Sequence, residues 1–399
     1  MVSASAAAVG LSQSQIFTLT EALAKGGTGG SSDPLMAPVV WLTGALCGGC
    51  ITSVLQFAAE GLPDLSTGDI TNPAVNNIIY TYSGVADWGD VPEVGDYHDT
   101  ASTGVAGVAT IEDVLIEVID LKCHWVAQNM SGALASDLVA KYMAGTGGPF
   151  VLLVEGSIPE ADYCKIGDTA DDTTGASSST AITMDEAVAA LAPLALATIS
   201  VGTCASFGGV PAGRNLTAPS SQFRKTNAMG VEAFLASRGI PQGTVVNVPG
   251  CPVQPEVLVL TILDAVSALS PVGGSGGTYL AYDLGRTLDI TRNTDHRPAP
   301  YYNNILHMGG SHGCPKYQDH VNHKYAKKLG DEGCLLLLGC KGPSTNTFCG
   351  LVGWNGGTDN ITLPNRRGGT KIFCTANGHP CMGCTEKGYP DKFEPFAKY

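Results

Sequence analysis

The sequence predicts an α/β protein in which a doubly wound parallel sheet is followed by a second, loop-rich domain. Short apolar runs typical of buried strands alternate with helical stretches from Pro38 to Leu269. After the segment 273–277, Gly-Gly-Ser-Gly-Gly, cysteine, glycine and proline become prominent instead. We therefore expect a parallel sheet covered by helices on both faces, and then a part of the chain with little regular structure.

The predicted strands and helices take turns along the first part of the chain. Strands are short runs rich in Val, Ile and Leu, and helices carry apolar residues at helical spacing. Two polar segments, Ser83–Thr110 and Asp168–Thr180, are expected to be surface insertions. In order, the predicted elements are the strand Val39–Thr43, the helix Ile51–Ala59, the strand Asn77–Tyr82, the helix Val126–Met143, the strand Phe150–Val154, the helix Met184–Leu196, the strand Thr198–Val201, the helix Gly230–Ser237, the strand Thr244–Val248 and the helix Glu256–Leu269.

These patterns divide the chain into three regions. Residues 1–35 are rich in Ser, Ala and Gly, and they form either an N-terminal arm or the remnant of an export signal that lacks a preceding Arg or Lys. We expect residues 36–272 to form the sheet domain and residues 280–399 the loop-rich domain.

Composition limits the classes of function. The 399 residues include 44% hydrophobic ones, enough for the cores of two domains. Lys and Arg number 22 against 36 Asp and Glu, a net charge of −14 that argues against nucleic acid or an anionic membrane surface as partner. No apolar run approaches the roughly 20 residues of a membrane span, so we expect no transmembrane segment.

Thirteen cysteines point to thiolate-bound metal. An odd number suits a disulfide framework poorly, although a secreted disulfide protein remains an alternative. Seven of the thirteen lie between Cys314 and Cys384, in a stretch crowded with Gly, Pro and Asn. Metal–thiolate bonds can hold such loops together where apolar packing cannot.

Four cysteines follow three predicted strands. Cys47 and Cys50 come after Val39–Thr43, and Cys204 and Cys251 each follow a later strand. Ligand sites in open α/β sheets lie beyond the carboxyl ends of the strands, so we expect these thiols at one edge. Four thiolates suit zinc or an iron–sulfur cluster, and the geometry alone does not separate these two. The large number of ligands in one chain favours electron transfer over three structural zinc sites.

Two further groups of ligands follow in the second domain. Together with the first four cysteines they make three sets of four ligands, which use eleven cysteines and one histidine. Cys123 and Cys164 remain, and we expect them to be free buried thiols. A histidine in place of one thiolate is a known way to tune the potential of a cluster. The first group is His312, Cys314, Cys334 and Cys340, and the second is Cys349, Cys374, Cys381 and Cys384.

At these residues the chain resembles the small subunit of nickel–iron hydrogenases. The resemblance extends from about Val39 to Phe396, with its motifs in the order found in that family, and it implies a flavodoxin-like fold for the first domain. The matching motifs are Cys47-x-x-Cys50, Val154-Glu155-Gly156-Ser157-Ile158-Pro159, Val201-Gly202-Thr203-Cys204, Val248-Pro249-Gly250-Cys251-Pro252, Gly339-Cys340-Lys341-Gly342-Pro343-Ser344-Thr345, Trp354-Asn355-Gly356-Gly357 and Gly378-His379-Pro380-Cys381-Met382-Gly383-Cys384.

The resemblance assigns each group of ligands to one iron–sulfur cluster. Cys47, Cys50, Cys204 and Cys251 would hold the proximal cluster, the one nearest the catalytic metals. The set beginning at Cys349 would hold the medial cluster, and the set beginning at Cys314 would hold the distal cluster. Many relatives have a proline in place of Cys374 and a three-iron medial cluster. The cysteine here predicts three 4Fe-4S clusters, as in the nickel–iron–selenium branch.

The histidine of the distal cluster has two candidates. Relatives show His-x-x-Cys at this site, whereas His312 lies only two residues before Cys314. We favour His312, because a short loop can still bring its imidazole to the same iron, and we keep His307 as the alternative. The remaining histidines are interpreted as surface or core residues: His98, His124, His296, His320, His323 and His379.

The resemblance implies that this chain is one of the two subunits of an enzyme. The nickel and iron of the active site belong to the family's large subunit, so we expect no catalytic residue in this chain, and we interpret Glu155 as a structural group. The chain would relay electrons between the large subunit and an external carrier. Its acidic balance favours a basic carrier such as a cytochrome, or a membrane redox partner. We expect a periplasmic location, with the cytoplasm as the alternative, and an iron–sulfur subunit of a quinone-reducing respiratory complex as the rival function.

Overall fold

The computed structural model describes about half of the chain, in segments that include most of the sheet and most of the predicted ligands. The strand predicted at Asn77–Tyr82, His312, and the domain boundary near 272–280 lie outside the described residues. The described residues are 37–55, 58–60, 108–110, 119–127, 131–160, 163–167, 181–213, 227–241, 245–255, 257–259, 261–262, 295–298, 302, 306–307, 313–347, 349–354 and 373–390.

Nine strands and seven α-helices have both of their ends within the described segments, and the described residues between 255 and 262 are helical as well. The strands are β1 (Ala37–Thr43), β2 (Ala58–Glu60), β3 (Val108–Thr110), β4 (Ile119–Cys123), β5 (Val151–Glu155), β6 (Lys165–Ile166), β7 (Ile182–Thr183), β8 (Ala197–Val201) and β9 (Val245–Val248). The helices are α1 (Gly49–Val54), α2 (Gly132–Met143), α3 (Met184–Leu191), α4 (Gly202–Phe207), α5 (Val231–Ser237), α6 (Tyr317–Val321) and α7 (Cys349–Val352).

Five parallel strands form the main sheet, in the order β4-β1-β5-β8-β9. Numbered by their order along the chain, these strands run 2-1-3-4-5 across the sheet, which is the flavodoxin-like arrangement. The prediction of a doubly wound parallel sheet is therefore confirmed. Two short antiparallel pairs, β2 with β3 and β6 with β7, lie outside this sheet.

The centre of the sheet is fully buried. Every residue of β5 and β8 is buried, and their register pairs Val151 with Ala197. Strands covered on both faces by helices need apolar side chains on both sides, which explains their continuous hydrophobic runs. The core on one face combines strand residues such as Leu152 with Val188 of α3 and Phe234 of α5.

Several predicted helices begin or end elsewhere. Helix α3 starts at a capping box, in which Thr183 and Glu186 bond each other's backbone N–H groups, and it stops just before Pro193 instead of at Leu196. Helix α2 begins at Gly132, after the N-cap Ser131, and not at Val126. Helix α1 ends at Val54, because Ala58–Glu60 pairs with Val108–Thr110 as a strand.

The second part of the chain is rich in loops, as predicted. Its described regular elements are α6, α7 and two 3₁₀ turns at Leu335–Leu338 and Gly342–Ser344. Among its described residues, apolar side chains form two small clusters, one around Leu306 and Phe373 and another around Leu335 and Leu338. In the described segments no helix has the length and apolar character that crossing a membrane requires.

Candidate metal centres

The proximal site lies at the carboxyl ends of three parallel strands. Cys47 follows β1 and Cys50 lies in the first turn of α1, while Cys204 lies in α4 directly after β8 and Cys251 follows β9. The four thiols are close enough to influence one another, since the pKa of Cys204 responds to both Cys251 and Cys47. The sheet topology therefore gathers side chains that are far apart in the sequence.

Glycine backbone packs directly against these sulfur atoms. A β-carbon on Gly202 would lie 2.5 Å from the Cys50 Sγ, and one on Gly209 would lie 2.9 Å from the Cys204 Sγ. Both distances are far shorter than a van der Waals contact, and both glycines have a positive φ, of 79° and 52°. Backbone N–H groups also point at sulfur, because Val253 donates to the Cys50 Sγ at 3.4 Å.

The protein alone does not favour thiolates at the proximal site. Burial raises the pKa of Cys204 to about 12, and the neighbouring Cys251 adds to the shift. Burial, followed by the charge of Glu155, raises the pKa of Cys50 well above its ordinary value. Thiolates gathered in such a place require a bound cation, as metal–sulfur sites do.

Glu155 has a structural role beside this site. It is fully buried at the end of β5, and its Oε1 accepts the backbone N–H of Ile51 at 3.1 Å. Its Oε2 lies 3.8 Å from the Nε2 of buried His124. Glu155 thus fixes the first turn of α1, which carries Cys50.

The medial site gathers Cys349, Cys374, Cys381 and Cys384. The pKa of Cys384 is raised well above its ordinary value, first by burial and then by the other three thiols. Cys349 and Cys381 are also shifted by burial, to pKa values of about 11 and about 12. The fourth cysteine, Cys374, therefore lies with the other three.

Two side chains make hydrogen bonds with one medial sulfur. The Trp354 indole donates from Nε1 to the Cys349 Sγ at 3.2 Å, and the Thr347 Oγ1 lies 3.0 Å from the same sulfur. The far edge of the Trp354 ring comes within 3.3 Å of a β-carbon placed on Gly250, next to Cys251. Trp354 therefore contacts the medial site at one end and the proximal site at the other.

We expect Trp354→Phe to lower the reduction potential of the medial site. Hydrogen bonds to thiolate sulfur stabilise the more negative, reduced state, and phenylalanine keeps an aromatic ring but not the N–H. A loss of about 1 kcal/mol corresponds to about 40 mV for a one-electron couple. A potentiometric EPR titration measures the shift, with the exposed Trp125→Phe as the matched control. Equal potentials in the two variants would contradict the role of the indole.

Hydrogen bonds connect neighbouring sites directly. The Thr203 hydroxyl donates to the Cys384 carbonyl and accepts the N–H of Gly250 at 2.8 Å, next to Cys251, and so joins the proximal and medial sites. The Cys381 N–H donates to the Cys340 Sγ at 3.2 Å, joining the medial and distal sites. Tyr389 is hydrogen-bonded to the Cys251 thiol and lies close enough to Cys384 for each to affect the other's charge. The three sites therefore form one continuous chain of contacts.

The distal site is a cavity lined by three thiols. Cys314, Cys334 and Cys340 line it together with His307 and Lys316. Thiol sulfur and imidazole nitrogen are both metal ligands, so the lining of this cavity suits a bound metal centre.

His307 lies among the distal thiols with a ring nitrogen that is free to bind a metal. The Nε2 of His307 is buried and has no hydrogen-bond partner among the described residues. Burial, and then the nearby His320, lowers the pKa of His307, which keeps the ring in the neutral form that binds metals. Potential ligand atoms of His307, His320 and Cys334 lie within 4.8 Å of one another.

His320 is the residue that sequence reasoning missed. Its Nδ1 lies 3.8 Å from the Cys334 Sγ, and its ring packs edge-on against His307 with centroids 4.3 Å apart. The exposed face of α6 gave no signal of this contact. His320 is therefore a neighbour of the distal ligands and not simply a surface residue.

The two remaining cysteines lie away from these sites. Cys123 and Cys164 pack partly buried against the core of the sheet domain. All thirteen cysteines are free thiols, so the structure gives no support to a disulfide framework.

A flavodoxin-like sheet and the loops that follow it gather eleven thiols in three connected groups, and this arrangement defines a thiolate metalloprotein. The chain is 32% identical over 290 residues to the periplasmic [NiFeSe] hydrogenase small subunit of Desulfomicrobium baculatum, covering 72% of this chain and 78% of that relative. It belongs to the family of small subunits of nickel–iron and nickel–iron–selenium hydrogenases.

Further comparisons agree over nearly the whole chain. It is 25% identical to the hydrogenase-2 small chain of Escherichia coli K12, covering 97% of this chain and 75% of that one. The solved [NiFeSe] hydrogenase of Desulfovibrio vulgaris Hildenborough matches with a TM-score of 0.62 at 28% identity, covering 93% of this chain and all of that one.

Two family models match separate parts of the chain. The C-terminal model of NiFe/NiFeSe hydrogenase small subunits matches residues 302–397, and the 20 kDa subunit of NADH ubiquinone oxidoreductase matches residues 99–265. The second match corresponds to the rival function, but it stops before the medial and distal ligands. The hydrogenase interpretation is confirmed, and nothing favours the quinone-reducing complex.

Proposed function

We propose that this hydrogenase small subunit relays electrons between a large subunit that activates dihydrogen and an external carrier, using three 4Fe-4S clusters. The observation that carries the proposal is the grouping of eleven thiols in three sites that hydrogen bonds connect in series. When bound, such clusters supply one-electron redox centres whose potentials follow their ligands and hydrogen bonds.

The ligand sets fit this proposal. The proximal and medial sites each offer four cysteines, the usual complement of a four-iron cluster. The distal site offers Cys314, Cys334 and Cys340, with a histidine as the fourth ligand. We propose His307 for that place, in preference to His312, because its buried Nε2 lacks a partner in the described structure and its ring lines the same cavity.

The proximal face is where we place the large subunit. Cys47 is exposed on this chain although its three partner thiols are half-buried. A second subunit over this edge would exclude water from the proximal site and bring the active-site metals near it. The family's small subunits form obligate pairs, for which an extensive interface is typical.

We also propose a periplasmic location. Relatives from Desulfomicrobium baculatum and Nitratidesulfovibrio vulgaris are named periplasmic hydrogenase small subunits. Fractionation of cells that produce the native complex tests this proposal, and recovery in the cytoplasmic fraction would contradict it.

Metal and sulfide analysis of the purified complex tests the cluster proposal. We expect about twelve irons and about twelve sulfides in the small subunit, four of each per site, with no stoichiometric zinc. The iron of the large subunit is measured separately after the subunits are dissociated. Zinc in place of iron, or iron for only one site, would contradict the relay. Dihydrogen-dependent reduction of methyl viologen by the same preparation tests the hydrogenase function.

A further inference from the structure

The segment around the distal site carries a charge opposite to that of the whole chain. Residues 313–347 contain five lysines and three acidic residues, a net charge of 5 − 3 = +2. The rest of the chain has 22 − 5 = 17 basic and 36 − 3 = 33 acidic residues, a net charge of −16. The negative net charge of the whole chain, which favoured a basic carrier, is therefore not shared by the segment 313–347.

These lysines lie next to the three distal thiols. Lys316 lines the distal cavity, and Lys341 follows Cys340 directly. Lys327 and Lys328 are exposed in the turn that precedes Cys334. The same segment also exposes an apolar side chain, because Leu337 is 59% exposed at the 3₁₀ turn after Cys334.

Two of the three acidic residues of this segment already have partners. Glu332 pairs with Lys324 at 2.8 Å. Asp331 accepts the backbone N–H groups of Lys327 and Lys328, both at 3.2 Å. The ion pair neutralises Glu332, and the backbone N–H groups occupy the Asp331 carboxylate. The ammonium groups of the other four lysines of the segment have no ion pair among the described residues. The remaining acid, Asp319, is only partly exposed.

We propose that this surface, the distal face, docks a small acidic protein that carries one electron. The distal face comprises Lys316, Lys327, Lys328, Lys341 and Leu337. Complementary charge would steer an acidic carrier to the cavity mouth and orient its redox centre, and the exposed leucine would provide a dry contact. The inference rests on the proposed function, because it names the partner of the relay's distal end.

Binding measurements on the intact two-subunit complex test the distal face. The probes are an acidic [2Fe-2S] ferredoxin and a basic c-type cytochrome, each titrated by calorimetry at low and high salt. We expect the ferredoxin to bind more tightly at low salt and to lose affinity as salt rises. The double variant Lys327→Glu/Lys328→Glu should bind ferredoxin at least about tenfold more weakly.

The matched control changes the same charge elsewhere. Lys141 and Lys165 are exposed lysines of the sheet domain, and Lys141→Glu/Lys165→Glu should leave ferredoxin affinity unchanged. Equal losses in the two double variants, or tighter binding of the cytochrome than of ferredoxin by the unaltered complex, would overturn the proposal. Dihydrogen-dependent viologen reduction by the unaltered complex separates the two claims, because its absence counts against the proposed function and not against the docking face.

Discussion

Replacing Cys374 with proline is expected to remove one iron from the medial site and to produce a paramagnetic three-iron signal in the oxidised protein. Cys374 lies with the other three medial thiols and influences the charge of both Cys349 and Cys384. Its backbone N–H donates to no other described residue, whereas its carbonyl accepts the N–H of His379 at 2.8 Å and stays in place. Proline therefore removes a ligand with little cost to the loop.

Two further variants sharpen this test. Cys374→Ala removes the thiol without constraining the backbone, so both variants should lose about one iron of twelve. Cys123→Ala removes a thiol that packs against the sheet core and should keep all of the iron. Iron analysis and EPR of the oxidised protein give the answer. A full iron complement and an unchanged spectrum in both Cys374 variants would show that this cysteine is not a ligand.

The sheet was predictable because its strands are buried on both faces. Continuous apolar runs such as Phe150–Val154 can satisfy only that environment, and the structure places β5 there. The strand β4 was missed, because Asp120 and Lys122 interrupt its apolar pattern at the edge of the sheet. Its place depends on pairing with β1, a tertiary contact that local sequence does not encode.

The cysteine ligands were easier to group from the sequence than the residues that contact them. Cysteines after successive strands can be assigned to one edge by topology alone, and two blocks of ligands along the sequence give the other two groups, but their assignment as medial and distal depended on the family resemblance. Contacts such as Trp354 with Cys349, or Tyr389 with Cys251, follow from how distant loops fold together. Hydrogen bonding by a single indole or phenol leaves no periodic signal in the sequence, so only the structure could supply these contacts.

The second large effect is expected on the reduction potential of the distal site. There, the variant His307→Cys would exchange a neutral ligand for a charged one. An added thiolate disfavours the reduced cluster, and ligand sets that differ in histidine content indicate a downward shift on the order of 100 mV. The backbone of His307 is held by its N–H bond to the Gly342 carbonyl at 3.2 Å, so the new thiol starts from the same loop position.

Parallel variants decide which histidine is the ligand. His312→Cys should leave the distal potential unchanged if His307 binds iron, and His320→Gln should alter it only modestly, since His320 faces the Cys334 sulfur at 3.8 Å. Potentiometric EPR titration of the three variants in the intact complex provides the comparison. A large shift in His312→Cys with none in His307→Cys would reverse the assignment. In that case the buried, unpartnered Nε2 of His307 would have to be explained by the packing of its ring against Tyr317 and His320 alone.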